Sequence, residues 1–239
     1  MTKPAPNLIK LSLFIFAIIS FFYVFGNLSD STLVMVISTT LVIPSLAFFY
    51  SLKSERILIY ELILMLSWLG SVLILSNVFL YKLSGIICFW GMILLLGYHI
   101  LKGLKEPLKI ELKNKIILLT IHLGYLVGII YYLSDIILTV YKGAGMLTPA
   151  ILFYETTQTR TGFLSVLLWF EKKKKTLSLT FGMILLILSG SLLAVKLFIG
   201  NTYFIENITK LCYISAQFLI LYYFINVDSN VNEKQMKNI

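Results

Sequence analysis

Long apolar runs separated by short polar stretches dominate the chain from end to end. Each run has about 20 mainly apolar residues, the length that an α-helix needs to cross roughly 30 Å of hydrocarbon. Eight runs can be marked, at about residues 8–26, 32–52, 57–77, 83–101, 115–133, 147–170, 176–197 and 203–225. The pattern therefore predicts an all-α, polytopic membrane protein, a single bundle of about eight transmembrane helices with essentially no domain outside the membrane.

Composition supports the same interpretation. Of the 239 residues, 59% are apolar and only 13% are charged, which leaves too little polar surface to cover a water-soluble globule. No proline- or serine-rich linker divides the chain, so residues 1–239 are expected to form one transmembrane domain. Cys88 and Cys212 stand alone in their runs, which leaves no CxxC redox or metal site and no disulfide framework.

The positive charges are distributed unevenly between the loops. If the runs alternate in direction, fifteen lysines and arginines fall on one side, and the other side receives Lys82, Lys142, Lys196 and Lys210. The positive-inside rule then places both termini in the cytoplasm, together with the loops that follow the fourth and sixth runs. We expect a multi-pass protein of the plasma membrane, the inner membrane if the source is bacterial. Loop lysines orient helices and contact anionic headgroups, so a nucleic-acid partner is not expected.

Three segments of the chain resemble a known family. They are "LSWLGSVLILSNVFLYKLSGIICFWGMILLLGYHI" (66–100), "FGMILLILSGSLLAVKLF" (181–198) and "CYISAQFLIL" (212–221). Together they are similar to the lysoplasmalogenase (YhhN-like) family of integral membrane proteins. The positions that match the family pattern include Gly70, His99, Ser189, Ser191, Tyr213 and Gln217.

The resemblance implies a hydrolase that cleaves the vinyl-ether bond of lysoplasmalogens, without a cofactor, through two aspartates. Those aspartates align with Ser71 and Gly190 in this chain, so both carboxyls are missing. The chain thus resembles a divergent member that lacks the acid and base of the family.

Three functions stay open on these grounds. The chain is a divergent ether-lipid hydrolase that uses other residues, a non-catalytic protein that binds lipid or a partner, or a small transporter. A transporter would show helix breaks at corresponding places in two halves, but Pro44 and Pro149 do not correspond. The expected partner is a membrane lipid, a lysoplasmalogen or another lysophospholipid, and neither substrate nor oligomeric state follows from the sequence.

The sixth run contains charged residues that a lipid-facing helix would not tolerate. A charge at a helix centre costs about 2.5–3.5 kcal/mol on the insertion scale, so Glu155 and Arg160 are both expected in the bundle interior. Glu155 and Gln158 share one helix face, whereas Arg160 points about 140° away from Glu155. Glu155 also lies at about the depth of Ser71 and Gly190, which makes it a candidate general acid that faces their cavity.

Two histidines complete the candidates. His99 matches the family near the cytoplasmic end of the fourth run, so the resemblance makes it a candidate catalytic residue. His122 is a polar residue in the middle of the fifth run and a candidate cavity residue for that reason. Neither has a second ligand at metal-binding spacing, so no metal is expected. The residues expected to line a cavity or contact lipid are Gly70, Ser71, His122, Gln158, Arg160, Ser189, Gly190, Ser191, Tyr213 and Gln217.

Overall fold

The computed structural model is all-helical over the residues that it describes. These are 6–26, 31–54, 57–104, 147–172, 175–198 and 202–236, with eight separate helical residues between 116 and 131. The seven helices bounded within them are α1 (Pro6–Phe25), α2 (Thr32–Lys53), α3 (Leu58–Ile74), α4 (Phe79–Gly103), α5 (Leu147–Lys172), α6 (Leu177–Phe198) and α7 (Tyr203–Met236).

Five of these helices are long and apolar enough to cross a membrane. They are α1, α2, α4, residues Leu177–Lys196 of α6 and residues Tyr203–Val227 of α7. Helix α3 has only 17 residues, and α5 is long but less apolar because of its polar residues in the middle. The fifth predicted run, 115–133, lies outside the described residues apart from the eight separate ones.

Helix α2 continues through a proline because another helix satisfies the carbonyl that the proline leaves free. Pro44 has no N–H to donate to the carbonyl of Thr40 four residues earlier. The indole Nε1–H of Trp68, on α3, donates to that oxygen at 2.9 Å. A break in the α2 hydrogen-bond ladder thereby becomes a link between α2 and α3.

Glycines allow two helix pairs to approach closely. A Cβ at Gly70 of α3 would lie 3.1 Å from the carbonyl oxygen of Gly85 on α4, and a Cβ at Gly85 would lie 3.1 Å from the carbonyl oxygen of Gly70. On α6, a Cβ at Gly182 would lie 3.1 Å from the carbonyl oxygen of Ala216 on α7. Backbones in contact at such points are typical of helices that pack through small residues.

Helices α4 and α5 are neighbours that run in the same direction. Trp90 Nε1–H donates to the hydroxyl of Thr157 at 2.9 Å, and thirteen residues further along α4 the carbonyl of Gly103 accepts from Lys172 Nζ at 2.7 Å. Both helices therefore begin at one end of the bundle and finish at the other. The chain between residues 103 and 147 consequently joins opposite ends of the bundle.

Candidate functional site

A cavity of about 510 Å³ lies at the end of the bundle where α6 finishes and α7 begins. Its volume falls within the range of small-molecule pockets. Its wall combines hydroxyl-bearing, charged and apolar side chains from six helices. The described lining residues are Tyr23, Ser31, Thr32, Met35, Thr39, Ser71, Ile74, Leu75, Asn77, Lys82, Phe89, Ser189, Leu193, Lys196, Tyr203, Glu206, Thr209, Lys210 and Tyr213.

The wall of the cavity is cationic. Its charged residues, among those described, are Lys82, Lys196, Lys210 and Glu206. Glu206 Oε2 is 3.1 Å from Lys196 Nζ, and Glu206 Oε1 is 2.7 Å from Lys210 Nζ. Because the wall carries three ammonium groups and one carboxylate, it has a net positive charge and favours an anionic ligand.

The inner wall is part of a buried hydrogen-bond network between α3, α4 and α7. Ser71 Oγ–H donates to the Ser67 carbonyl at 2.9 Å, and the Tyr213 hydroxyl lies 3.2 Å from Ser71 Oγ. One turn deeper, Gln217 Nε2–H donates to Ser67 Oγ at 3.1 Å, and Ser67 Oγ–H donates to the sulfur of Met92. Two hydroxyls, those of Ser71 and Tyr213, are therefore held in place at the cavity floor.

Gly190 lies next to this cavity but faces α5. A Cβ at Gly190 would be 2.6 Å from Glu155 Oε1 and 2.8 Å from Gln158 Oε1. The side-chain space of position 190 is thus filled by polar groups that come from another helix. An aspartate at 190 would have no room unless Glu155 and Gln158 moved.

The small residues of α3 and α6 do not pack against each other. Gly70 contacts α4, with the ring of Phe89 3.1 Å from its would-be Cβ, and Gly190 contacts α5. Instead, Ser71 on α3 and Ser189 on α6 both line the cavity. Ser189 Oγ–H also donates to the carbonyl of Thr209 on α7 at 3.0 Å, whereas Ser191 is half-buried and is not among the described lining residues.

Glu155 and Arg160 have opposite environments. Glu155 is 2% exposed, as expected from the cost of a carboxyl in lipid. Arg160, expected in the interior, is exposed instead. The physical reason is its position on the helix: it lies on the outer face of α5 that also carries Phe153, which is 67% exposed.

His99 lies at the other end of the bundle from the cavity. Its Nε2 is 3.3 Å from the Tyr223 hydroxyl, and its ring centroid is 4.7 Å from that of Phe224. It is also about 15 Å along α4 from Phe89, the residue of that helix in the cavity wall. The structure therefore does not bring His99 and Glu155 together as an acid and base pair. His122 lies outside the described residues.

The cationic wall was not recognised from the sequence. The sequence pattern places Lys82, Lys196 and Lys210 only as cations of the outer side, and it assigns no role to Glu206. Glu206 and Lys210 have the i, i+4 spacing of an intrahelical ion pair, so that pair could have been predicted from the sequence. The pair of Glu206 with Lys196 could not, because it depends on the packing of α6 against α7. In the described part of the chain, no three His, Cys, Asp or Glu residues are grouped to hold a metal ion.

Comparisons of the chain with protein-family models, with curated proteins and with solved structures find no match. The geometry defines a class of protein: an all-helical chain with several helices apolar enough to cross a membrane and a cationic cavity at one end. A more specific function has to be argued from the cavity itself.

Proposed function

We propose that this chain is a multi-pass membrane protein, a divergent member of the lysoplasmalogenase-like family, that binds an ether lysophospholipid in the cavity. The observation that carries the proposal is the origin of the cavity wall. Each of the three family-like segments contributes a lining residue, namely Ser71, Ser189 and Tyr213. The three segments thus converge on one pocket, as a shared ligand site would require.

The cavity chemistry suits a phospholipid with one chain. A phosphate is a strong hydrogen-bond acceptor and pairs well with lysine ammonium groups, which Lys82 and Lys196 supply. The hydroxyls of Ser71 and Tyr213 suit the glycerol oxygens. Apolar wall residues suit the first part of a hydrocarbon chain: Met35, Ile74, Leu75, Phe89 and Leu193.

Binding without turnover is the form of this proposal that the cavity supports better. Vinyl-ether hydrolysis needs a group that protonates the enol ether and a group that activates water. The only carboxyl among the described lining residues is Glu206, which is paired with two lysines. The second candidate is a divergent hydrolase, favoured by Glu155, whose carboxyl occupies the side-chain space of Gly190.

The proposal includes eight spans, cytoplasmic termini and a cavity that opens toward the outer leaflet. The parallel course of α4 and α5 supports a further crossing between them, because residues 104–146 join opposite ends of the bundle. Three of the four lysines expected on the outer side, Lys82, Lys196 and Lys210, line the cavity. In this arrangement, three of the few lysines on the outer side are placed to bind the ligand.

The test is a lipid-binding and turnover assay on purified protein in detergent. Lysoplasmalogen, an ester lysophospholipid and an uncharged glycerol ether are offered, and both bound lipid and released fatty aldehyde are measured. Lys82→Gln and Lys196→Gln should each weaken phospholipid binding by about tenfold, the loss of one charge-assisted hydrogen bond. Lys210 stays in place in both variants, so Glu206 keeps a counter-ion.

The matched control is Lys53→Gln, an exposed lysine at the other end of the bundle. It should leave binding unchanged, and binding of the uncharged ether should be insensitive to all three variants. Aldehyde release by the wild type would favour the hydrolase over the binding protein. If the wild type neither binds lysophospholipid nor releases aldehyde, the proposed function is wrong.

A further inference from the structure

Between α5 and α6 lies a second polar site, which the lipid proposal does not use. Glu155 is 2% exposed and Gln158 is fully buried. Within the described part of the chain, Glu155 Oε2 and both polar atoms of the Gln158 amide have no hydrogen-bond partner. Buried polar groups are nearly always paired, so the two orphaned oxygens, Glu155 Oε2 and Gln158 Oε1, are acceptors left open to a proton or a cation.

Gly190 lies where the side chains of Glu155 and Gln158 meet. The point where its Cβ would stand is 2.6 Å from Glu155 Oε1 and 2.8 Å from Gln158 Oε1. A carboxyl oxygen and an amide oxygen therefore converge on one place. The ring of Tyr154 is 3.3 Å from the same point and packs against Phe89 of the cavity wall, with ring centroids 6.4 Å apart. Two aromatic rings thus stand between this site and the cavity.

The carboxyl has no counter-ion among the described residues around it. The described residues of α4 and α6 that pack near it are uncharged: Phe89, Trp90, Ile187 and Gly190. Arg160 is exposed on the other face of α5, and Lys196 lies about 9 Å further along α6, where it pairs with Glu206. The titratable neighbours are Tyr154 and, beyond it, Tyr213. An isolated carboxylate in such a place is strongly disfavoured unless a positive charge joins it.

We propose that Glu155 and Gln158 form a binding site for one monovalent cation, a proton or Na⁺, where their side chains meet beside Gly190. A single carboxylate balances a single positive charge, whereas a divalent ion such as Ca²⁺ would keep one unbalanced charge in a buried place. The amide oxygen of Gln158 accepts from a protonated Glu155 or coordinates Na⁺ beside the carboxylate. The site is independent of lipid binding in the outer cavity.

Thermal unfolding of the full chain in detergent tests this proposal. Wild type and Glu155→Gln are compared at pH 6 and pH 9, each with NaCl or with an equal concentration of an organic-cation chloride. If the ligand is a proton, the folded state keeps a proton that an unfolded glutamate has already released at pH 6, so stability falls as the pH rises until the folded carboxyl also ionises. The wild-type midpoint should then fall by roughly 5 °C more than that of Glu155→Gln between the two pH values. If the ligand is Na⁺, NaCl should raise the wild-type midpoint at pH 9 by about 3 °C and leave Glu155→Gln unchanged.

Gly190→Ala gives a second variant that keeps the carboxyl. Its Cβ would displace both converging oxygens, so it should lose most of the same response. The matched controls are Glu61→Gln, a half-exposed carboxyl on α3, and Gly91→Ala, whose Cβ would meet only Leu66 Cδ1, at 3.3 Å. Both should respond as wild type. Identical pH and Na⁺ dependence in wild type and Glu155→Gln, or a full response in Gly190→Ala, would overturn the proposal.

Discussion

At the scale of single residues, the bond from Trp68 to the Thr40 carbonyl shows how a local defect becomes a tertiary contact. Pro44 frees that carbonyl, and the indole N–H satisfies it at 2.9 Å. Trp68→Phe keeps most of the apolar ring but removes the donor. We expect it to destabilise the protein by about 1–2 kcal/mol, the cost of an unsatisfied buried carbonyl, measured by denaturant unfolding in detergent.

A double-mutant cycle identifies the cause of that loss. In Pro44→Ala the new backbone N–H can donate to Thr40 O within α2, so Trp68→Phe should cost much less in this background. An equal cost in both backgrounds would mean that the ring matters through packing alone.

Single residues also show where the sequence was sufficient and where it was not. The burial of Glu155 follows from the high free energy of a charge in hydrocarbon. A charged residue inside an apolar run is visible in the sequence, so this burial could be predicted. The same argument misplaced Arg160. Helical geometry correctly separated the two side chains by about 140°, but it does not say which face of α5 meets a neighbour. That information resides in the packing of α4 and α6.

At the scale of elements, helices α3 and α4 approach each other closely at Gly85. A Cβ at Gly85 would lie 2.8 Å from Ile74 Cγ1 and 3.1 Å from the Gly70 carbonyl oxygen. Gly85→Ala should therefore push the two helices apart and cost about 1–3 kcal/mol in the free energy of unfolding.

The matched substitution is Gly91→Ala on the same helix. Its Cβ would meet a flexible leucine end at 3.3 Å, so the gain in helix propensity should make it neutral or slightly stabilising. If Gly85→Ala and Gly91→Ala change the free energy of unfolding equally, the close approach of the two backbones does not limit stability.

Helix limits were largely predictable from hydropathy. The third run, 57–77, corresponds to α3 at Leu58–Ile74, and the sixth, 147–170, to α5 at Leu147–Lys172. The main departure is α7, which continues to Met236 although the apolar run ends near 225. An apolar run predicts which residues lie in hydrocarbon. A helix can extend beyond that run, because its backbone hydrogen bonds do not require apolar side chains. Neighbour relations such as α4 beside α5 have no counterpart in a hydropathy profile.

At the scale of the whole molecule, the lysine and arginine asymmetry predicts a definite orientation. Reporter fusions after residues 110 and 174 should both read cytoplasmic, because the loops that they enter carry most of the positive charge. A fusion near residue 200, between α6 and α7, serves as the external control. An external signal at 110 or 174 would be incompatible with eight alternating spans.

The parallel neighbours α4 and α5 also constrain how the protein is made. The surface of α4 that receives α5, around Trp90 and Gly97, is complete as soon as residue 103 leaves the ribosome. Its partner begins only at residue 147, so at 5–20 residues per second this surface waits roughly 2–9 s for its cover. During that interval the nascent chain presents an indole N–H and a glycine groove to lipid or to an insertion chaperone. Biogenesis of this fold therefore includes a stage at which the α5-facing surface of α4 exists without its final neighbour.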